Sequence, residues 1–138
     1  VFPLLQSELG MSDVQLAYVG SFFLWSYAFA SPASGLVADR WPRHRVVVFS
    51  LAAWSLVTLL AALARNAQEL LASRVLLGLA EAAYLPAAVG LLADHHASKT
   101  IGRALAIHLC GLNVGLVGGG ALAGYLGETQ GWRASLIV

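Results

Sequence analysis

The sequence predicts an all-α membrane protein, built as an antiparallel bundle of transmembrane helices. Of its 138 residues, 59% are hydrophobic and only 11% are charged, and the mean hydropathy is +0.75. Residues 14–38 and 46–64 contain no Asp, Glu, Lys or Arg. Uncharged apolar runs longer than about 18 residues are typical of bilayer spans, whereas soluble domains carry roughly 25% charged residues. These run lengths disfavour the alternative, a soluble helical core.

The apolar runs divide the chain into six predicted spans or parts of spans. In order, they cover residues 1–5 (the end of the first span), 14–38, 46–64, 70–93, 104–127 and 134–138 (the start of the sixth). Both ends of the chain lie within apolar sequence, so we expect it to be part of a longer protein. Ser12 and Gln15 form a capping-box pattern that predicts the start of the second span. Pro32 lies within that span, and a membrane helix can tolerate it as a kink.

The charged loops predict which side of the membrane each helix end faces. The basic residues of one set of loops are Arg40, Arg43, Arg45, Lys99 and Arg103, and those of the opposite set are Arg65 and Arg133. This asymmetry agrees with the positive-inside rule, because Lys and Arg near span ends favour the cytoplasmic side. The loops before the third and fifth spans are therefore predicted to be cytoplasmic.

Two charged residues, Arg74 and Glu81, lie inside the fourth predicted span. They are seven residues apart, which places them on one face of a helix. Glu81 lies roughly 18 Å along that helix from Glu69, near the bilayer midplane. A charge there costs at least ~2.5–3.5 kcal/mol, so both side chains should face protein or a watery cavity. Gly78, between them, is expected to leave open space beside the helix.

Arg74 and Glu81 are the leading functional candidates. The guanidinium of Arg74 keeps its charge and can bind a carboxylate or phosphate through two hydrogen bonds. Burial disfavours the charged form of a carboxyl, so Glu81 is predicted both to contact substrate and to load and release a proton. The alternative is a structural ion pair that locks the bundle.

Four other residues complete the predicted substrate-binding set. Trp25 and Tyr27 in the second span are candidates to line a pathway, although contact with lipid or another helix is the favoured alternative. Tyr84 in the fourth span and Asn113 in the fifth are the remaining members.

The fifth predicted span carries glycines at four-residue spacing, namely Gly111, Gly115, Gly119, Gly120 and Gly124. Small residues at this spacing predict a close approach of another helix. His108 in the same span is expected to bond to a neighbour rather than to relay protons.

No cofactor and no metal are predicted. His95 and His96 follow Asp94, but adjacent histidines on a loop point in different directions and lack a third ligand at a helical spacing. The basic residues are too few and too scattered for nucleic-acid binding.

Three motifs together resemble the Major Facilitator Superfamily. They are Gly35-x-x-x-Asp39-Arg40-x-x-Arg43-x-Arg45 after the second span, Arg74-x-x-x-Gly78-x-x-Glu81-Ala82 in the fourth, and Gly131-Trp132-Arg133 before the sixth. The first departs from the family pattern at Pro42, where glycine is usual, and at His44, where a basic residue is usual. The motifs occur in the family's order and spacing along the whole chain.

The resemblance implies the N-terminal six-helix half of a twelve-helix secondary active transporter, not an enzyme. Its implied partners are a small-molecule substrate, protons or sodium, the lipid bilayer and the C-terminal half of the same transporter. Its implied location is the cell membrane, specifically a bacterial inner membrane. It also implies a cytoplasmic gating cluster formed by Gly35, Asp39, Arg40, Arg43 and Asp94.

Several branches of the family remain open. The pair Arg74 and Glu81 resembles the proton-coupled organic-anion symporters, whereas Glu81-Ala82-Ala83-Tyr84 is similar to the Spinster-type branch that moves lysolipids and related amphiphiles. Drug–proton antiporters share the glycine pattern of the fifth span, but Leu116 stands where they have proline. A polytopic membrane enzyme and a sensor that binds without transporting are the alternatives from other functional classes.

Overall fold

The computed structural model describes residues 2–137, which form helices joined by short turns and contain no strand. The helices are α1 (Phe2–Leu9), α2 (Asp13–Arg40), α3 (Arg43–Ala62), α4 (Ala67–Glu81), α5 (Tyr84–His95), α6 (Ile101–Gln130) and α7 (Ala134–Ile137). Three helical stretches of this region are long and apolar enough to cross a membrane: α3, the pair α4–α5, and α6. The predicted all-α membrane fold is confirmed.

The turn between α1 and α2 is shorter than the sequence suggests. Gln6–Leu9, which follow the first predicted span, continue α1, and Gly10 ends the helix with a φ of +62° that favours glycine. The predicted capping box is confirmed at the start of α2: the Gln15 amide donates to Ser12 Oγ, and the Ser12 amide donates to the Gln15 side chain.

α2 is long enough to span a bilayer but is not among the three most apolar stretches. Its serines, its two tyrosines, Trp25 and Pro32 reduce its apolar character. The helix continues through Pro32 and extends to Arg40. Only Trp41 and Pro42 separate it from α3, so most of the predicted basic loop is helical.

The fourth predicted span is divided into two helices. α4 ends at Glu81, two residues of turn follow, and α5 begins at Tyr84. The cause is Pro86, which has no N–H to donate to the Ala82 carbonyl. Helical hydrogen bonding resumes one residue later, where the Ala87 amide donates to the Ala83 carbonyl at 3.3 Å. This interruption at Pro86 was not predicted from the sequence.

α4 lies at the centre of the bundle, in contact with α2 along one side and α3 along the other. The α2 contact is closest at Gly78, where an added methyl group would overlap Ser26 Oγ and the Phe23 carbonyl oxygen. The open space predicted beside Gly78 is therefore filled by α2. α6 is the least covered long helix in the described region, with its main contacts to α5 and α7.

An apolar cluster closes the predicted outer end of the bundle. Its buried members are Leu5, Met11, Ala61, Ala64, Leu70 and Trp132. Above it, the Glu8 carboxylate accepts hydrogen bonds from Trp132 Nε1 and from an Arg133 guanidinium nitrogen, both at 2.9 Å. Arg133 also donates to the Ala64 carbonyl at 3.0 Å. We call these four residues the Glu8 network; they join α1, the end of α3 and the α6–α7 turn.

Candidate functional site

A cleft of about 940 Å³, the glycine cleft, opens between α6 and the helices α2 to α5. Its lining residues are Phe23, Trp54, Glu81, Tyr84, Ile107, His108, Gly111, Leu112, Gly115, Leu116, Gly119 and Gly120. Most of this surface is apolar or glycine, so its polar chemistry depends on very few side chains. Glu81 is its one carboxyl, and the side chains of Tyr84 and His108 are its other titratable groups.

The break at Pro86 positions Glu81 and Tyr84 beside this cleft. Glu81 is the last residue of α4 and Tyr84 the first of α5, so they belong to two different helices. Glu81 is half-buried and has no salt bridge with any residue in 2–137. A carboxyl in such a position is available to a proton, to water or to a bound solute.

The ring of His108 in α6 faces the ring of Tyr84 at the start of α5, and the two ring centroids are 6.0 Å apart. Its Nε2 is buried and has no hydrogen-bond partner among the described residues. The hydrogen bond predicted between His108 and a neighbouring residue is therefore not formed at Nε2 within the described residues. His108 was not predicted to be a site residue, because nothing in the sequence of α6 alone indicates that it meets Tyr84.

Arg74 does not line the glycine cleft. It lies two turns from Glu81, and Gly78, which is on the same face of α4, contacts α2. Its Nε is buried without a partner in the described part of the chain, and no salt bridge joins it to Glu81 there. The alternative of a structural Arg74–Glu81 ion pair is therefore not realised in residues 2–137.

Of the other predicted substrate-binding residues, only Tyr84 lines the cleft. Trp25 is 63% exposed and stacks on Phe29, with ring centroids 5.6 Å apart. Tyr27 is half-buried beside Phe23. Asn113 is exposed, and its Nδ2 donates to the Leu109 carbonyl of its own helix at 2.8 Å.

Two aromatic residues outside the predicted set also line the cleft, Phe23 and Trp54. Trp54 lies in the third span, which the sequence analysis left without a functional residue. The sequence did offer an indication of a role for Trp54, because it is the single tryptophan among the aliphatic residues of α3.

The α6 glycines do not form the predicted close helix contact within the described residues. A methyl group added at Gly111, Gly115, Gly119, Gly120 or Gly124 would meet no atom within 4 Å. Because these positions lack side chains, they leave one wall of the cleft flat and open.

Three of the five predicted gating residues come together at the basic end of the bundle. An Arg43 guanidinium nitrogen donates to the Asp94 carboxylate and, at 3.1 Å, to the Gly90 carbonyl, while its other terminal nitrogen lies 3.9 Å from Asp39. These contacts join the ends of α2, α3 and α5, and we call them the Arg43 cluster. Gly90 has no room for a methyl group, because the Arg43 side chain lies against its backbone.

The other two gating residues stand apart from this cluster. Arg40 is exposed, and it forms no salt bridge with the described residues. A methyl group added at Gly35 would meet no atom within 4 Å.

Comparison with known proteins decides the family. The family model of the Major Facilitator Superfamily matches residues 1–138. The chain belongs to the Major Facilitator Superfamily. The resemblance carried by the three sequence motifs is thereby confirmed, and the described helices fit the N-terminal half of that fold.

Three relatives within the superfamily cover nearly all of this chain. The 4-hydroxybenzoate transporter PcaK of Pseudomonas putida is 30% identical over 138 residues, which are 100% of this chain and 31% of the relative. The gallate transporter of Pseudomonas putida is 31% identical over 137 residues, 99% of this chain and 30% of the relative. The multidrug resistance protein B homolog of Mycobacterium tuberculosis is 30% identical over 132 residues, 96% of this chain and 24% of the relative.

The chain spans less than a third of the length of these three relatives. All three carry the names of transport or resistance proteins, in agreement with the prediction that the chain is not an enzyme. No solved structure gives a significant match.

Proposed function

We propose that this chain forms part of a secondary active transporter that moves a small organic anion by alternating access, with proton coupling at Glu81. The observation that carries the proposal is the single carboxyl of Glu81, free of salt bridges within the described residues, beside Tyr84 and His108 on a cleft between membrane helices. Many secondary transporters bind their cargo beside an interrupted membrane helix, and the cleft lies beside the interruption between α4 and α5. We place the protein in a bacterial inner membrane.

The names of two relatives support an organic anion as cargo. Hydroxybenzoate and gallate each combine a carboxylate with an aromatic ring. The cleft offers apolar and aromatic contacts from Phe23, Trp54 and Leu112, and hydrogen-bonding groups from Tyr84 and His108. Arg74 does not line the cleft, but it is the cation of α4, two turns from Glu81, and we propose that its charge attracts the carboxylate from that distance.

Coupling at Glu81 is tested by reconstituting the whole protein in liposomes with 4-hydroxybenzoate as the probe. Glu81→Gln keeps the shape of the side chain but cannot release a proton. We expect it to abolish accumulation driven by a proton gradient while exchange of labelled for unlabelled solute continues. Glu128→Gln, an exposed substitution near the end of α6, is the control and should leave both assays unchanged.

Comparing the two assays distinguishes a role of Glu81 in proton coupling from a purely structural role. If Glu81→Gln impairs gradient-driven uptake and exchange equally, or impairs neither, Glu81 has no specific coupling role. A sodium gradient that drives accumulation in place of the proton gradient would assign the coupling ion to sodium and overturn the proton proposal.

The role of Arg74 is tested by binding rather than by flux. Arg74→Ala removes the charge that attracts the carboxylate, and we expect binding of 4-hydroxybenzoate to fall by at least tenfold, measured by isothermal calorimetry. Arg74→Lys keeps the charge and should retain most of the affinity, because the proposed attraction acts through charge rather than through direct contact. Unchanged affinity in Arg74→Ala would remove this residue from the site.

A second candidate is an exporter of drugs or amphiphiles, favoured by the largely apolar cleft and by the multidrug resistance relative. It is distinguished by a lipophilic cation such as ethidium. Transport of the cation with no transport of the aromatic acid would favour the exporter.

A further inference from the structure

A second groove lies on the outer surface of the bundle where α2, α3 and α4 meet, and we call it the Arg45 groove. It encloses about 450 Å³. Its lining residues are Val37, Trp41, Arg45, Val46, Phe49, Ser50, Ala53, Leu79, Ala80 and Ala83. It shares no residue with the glycine cleft, and neither the proposed transport mechanism nor the Arg43 cluster uses it.

Small residues make the floor of this groove. Buried Ser50 donates its hydroxyl hydrogen to the Ala80 carbonyl, which holds α3 close to α4. Ala53, Ala80 and Ala83 add little bulk beside it. The walls are large apolar side chains that remain exposed, with Phe49 78% exposed. A narrow apolar channel open at the side of a membrane protein suits a hydrocarbon chain, because it buries apolar surface on both partners.

The mouth of the groove carries a cation. Arg45 is exposed, and its guanidinium has no salt bridge or hydrogen bond with the described residues. Trp41 stands beside it, 65% exposed. Tryptophan favours the level of the lipid headgroups, and a guanidinium binds phosphate oxygens through two donors. The closest carboxylate along the chain, Asp39, lies 3.9 Å from Arg43 and forms no salt bridge with Arg45.

The length of the groove matches one leaflet. Arg45 and Ala53 are eight residues apart on α3, which is about 12 Å along the helix. Half of a hydrocarbon core roughly 30 Å thick is about 15 Å. An acyl chain with its phosphate at Arg45 would therefore run along most of the groove floor.

We propose that the Arg45 groove binds one anionic phospholipid from the predicted cytoplasmic leaflet, with an acyl chain on the alanine floor and the phosphate on Arg45. Basic pockets between membrane helices on that side are suited to anionic headgroups. A further helix of the polypeptide is the competing occupant. The unpaired cation beside Trp41 favours the lipid, since a helix placed there would have to supply its own anion.

Native mass spectrometry of the purified protein, titrated with phosphatidylglycerol, tests the proposal. We expect one tightly bound lipid, and weaker binding of phosphatidylcholine with the same acyl chains. Arg45→Gln should weaken phosphatidylglycerol binding about fivefold, since one cation near the headgroups contributes about 1 kcal/mol. Ala53→Leu should block the floor and remove the bound lipid. Soluble glycerol phosphate should not compete, because it has no acyl chain.

Two matched substitutions serve as controls. Arg103→Gln removes a charge on the same predicted side but away from the groove, and Ala52→Leu adds the same bulk at an exposed neighbouring position on α3. Both should bind lipid like the wild type, and melting temperatures of all four variants verify folding. No bound lipid in the wild type would indicate that protein covers the groove and would overturn the proposal. So would equal lipid binding by Arg45→Gln and Arg103→Gln.

Discussion

At the scale of single residues, two buried nitrogen atoms have unsatisfied hydrogen-bonding capacity within residues 2–137. Arg74 Nε and His108 Nε2 have no hydrogen-bond partner among the described residues. Buried polar atoms in folded proteins are nearly always paired, by protein, water or ligand. Both residues lie in membrane helices near the proposed site, so we expect each to acquire a partner when cargo or water enters.

Glu8 is the residue whose loss should most weaken the outer end of the bundle. Glu8→Ala removes the acceptor for both Trp132 Nε1 and Arg133, and Trp132 is only 1% exposed. Leaving a buried donor unpaired costs about 1–3 kcal/mol. We therefore expect a clearly lower melting temperature in detergent, measured by tryptophan fluorescence.

Glu128→Ala is the comparison for Glu8→Ala, because Glu128 is exposed and has no side-chain hydrogen bond with the described residues. It should melt like the wild type. If Glu8→Ala and Glu128→Ala have the same melting temperature, the Glu8 network contributes nothing measurable to stability.

At the scale of elements, the approach of α2 to α4 depends on one glycine. In Gly78→Ala the new methyl group would meet the Phe23 carbonyl oxygen and the Tyr27 amide nitrogen, which are backbone atoms and cannot rotate away. Overfilling a packed contact costs typically about 1–3 kcal/mol. We expect Gly78→Ala to melt at a lower temperature than the wild type.

Gly115→Ala provides the matched comparison, because its methyl group would enter open space. Removing the serine hydroxyl as well, in Gly78→Ala with Ser26→Ala, should restore little stability, since the backbone overlap persists. Full recovery in that double variant would show that only the Ser26 side chain limits the approach.

The elements also show what the sequence could and could not predict. Long apolar runs with few charges sufficed to predict the all-α membrane fold, because lipid excludes charge wherever it lies along a chain. The break after Glu81 depends on Pro86, and Pro32 shows that a proline alone does not determine whether a helix breaks. Gly78 was predicted to leave space but packs against α2, and Gly115 was predicted to contact a helix but meets none within residues 2–137. A glycine permits close approach, but only the neighbouring helix decides whether approach occurs.

The candidate site was predictable only in part for the same reason. Glu81 was found because a carboxyl inside an apolar run is conspicuous without any structure. Its companions on the cleft come from four other helices: Phe23 from α2, Trp54 from α3, Tyr84 from α5 and His108 from α6. Their meeting depends on tertiary contacts that no local pattern encodes.

At the scale of the whole molecule, we propose that the Arg43 cluster biases an equilibrium between two states of the transporter. Asp94 is hydrogen-bonded to Arg43, whereas Asp39 is 3.9 Å away and 74% exposed. An exposed ion pair at that distance contributes little. Asp94→Asn should therefore shift the balance between inward-open and outward-open states more than Asp39→Asn, in distances between spin labels on the predicted cytoplasmic face.

Glu128→Gln, at the other end of the bundle, should leave those spin-label distances unchanged. Equal shifts from Asp39→Asn and Asp94→Asn would mean that total charge, rather than the Arg43 hydrogen bond, controls the equilibrium. A ligand or substitution can move such an equilibrium only by favouring one state over the other.

The thirty residues of α6 give it a length of about 45 Å, half as much again as a hydrocarbon core of roughly 30 Å. It must either tilt or project its ends among the headgroups. Arg103 near the first turn of α6 and Glu128 near its last turn are both suited to water. The two ends of α6 can therefore extend into the headgroup regions without bending the helix. The flat wall made by its glycines then lies at mid-depth, and its inclination would follow the thickness of the surrounding lipid.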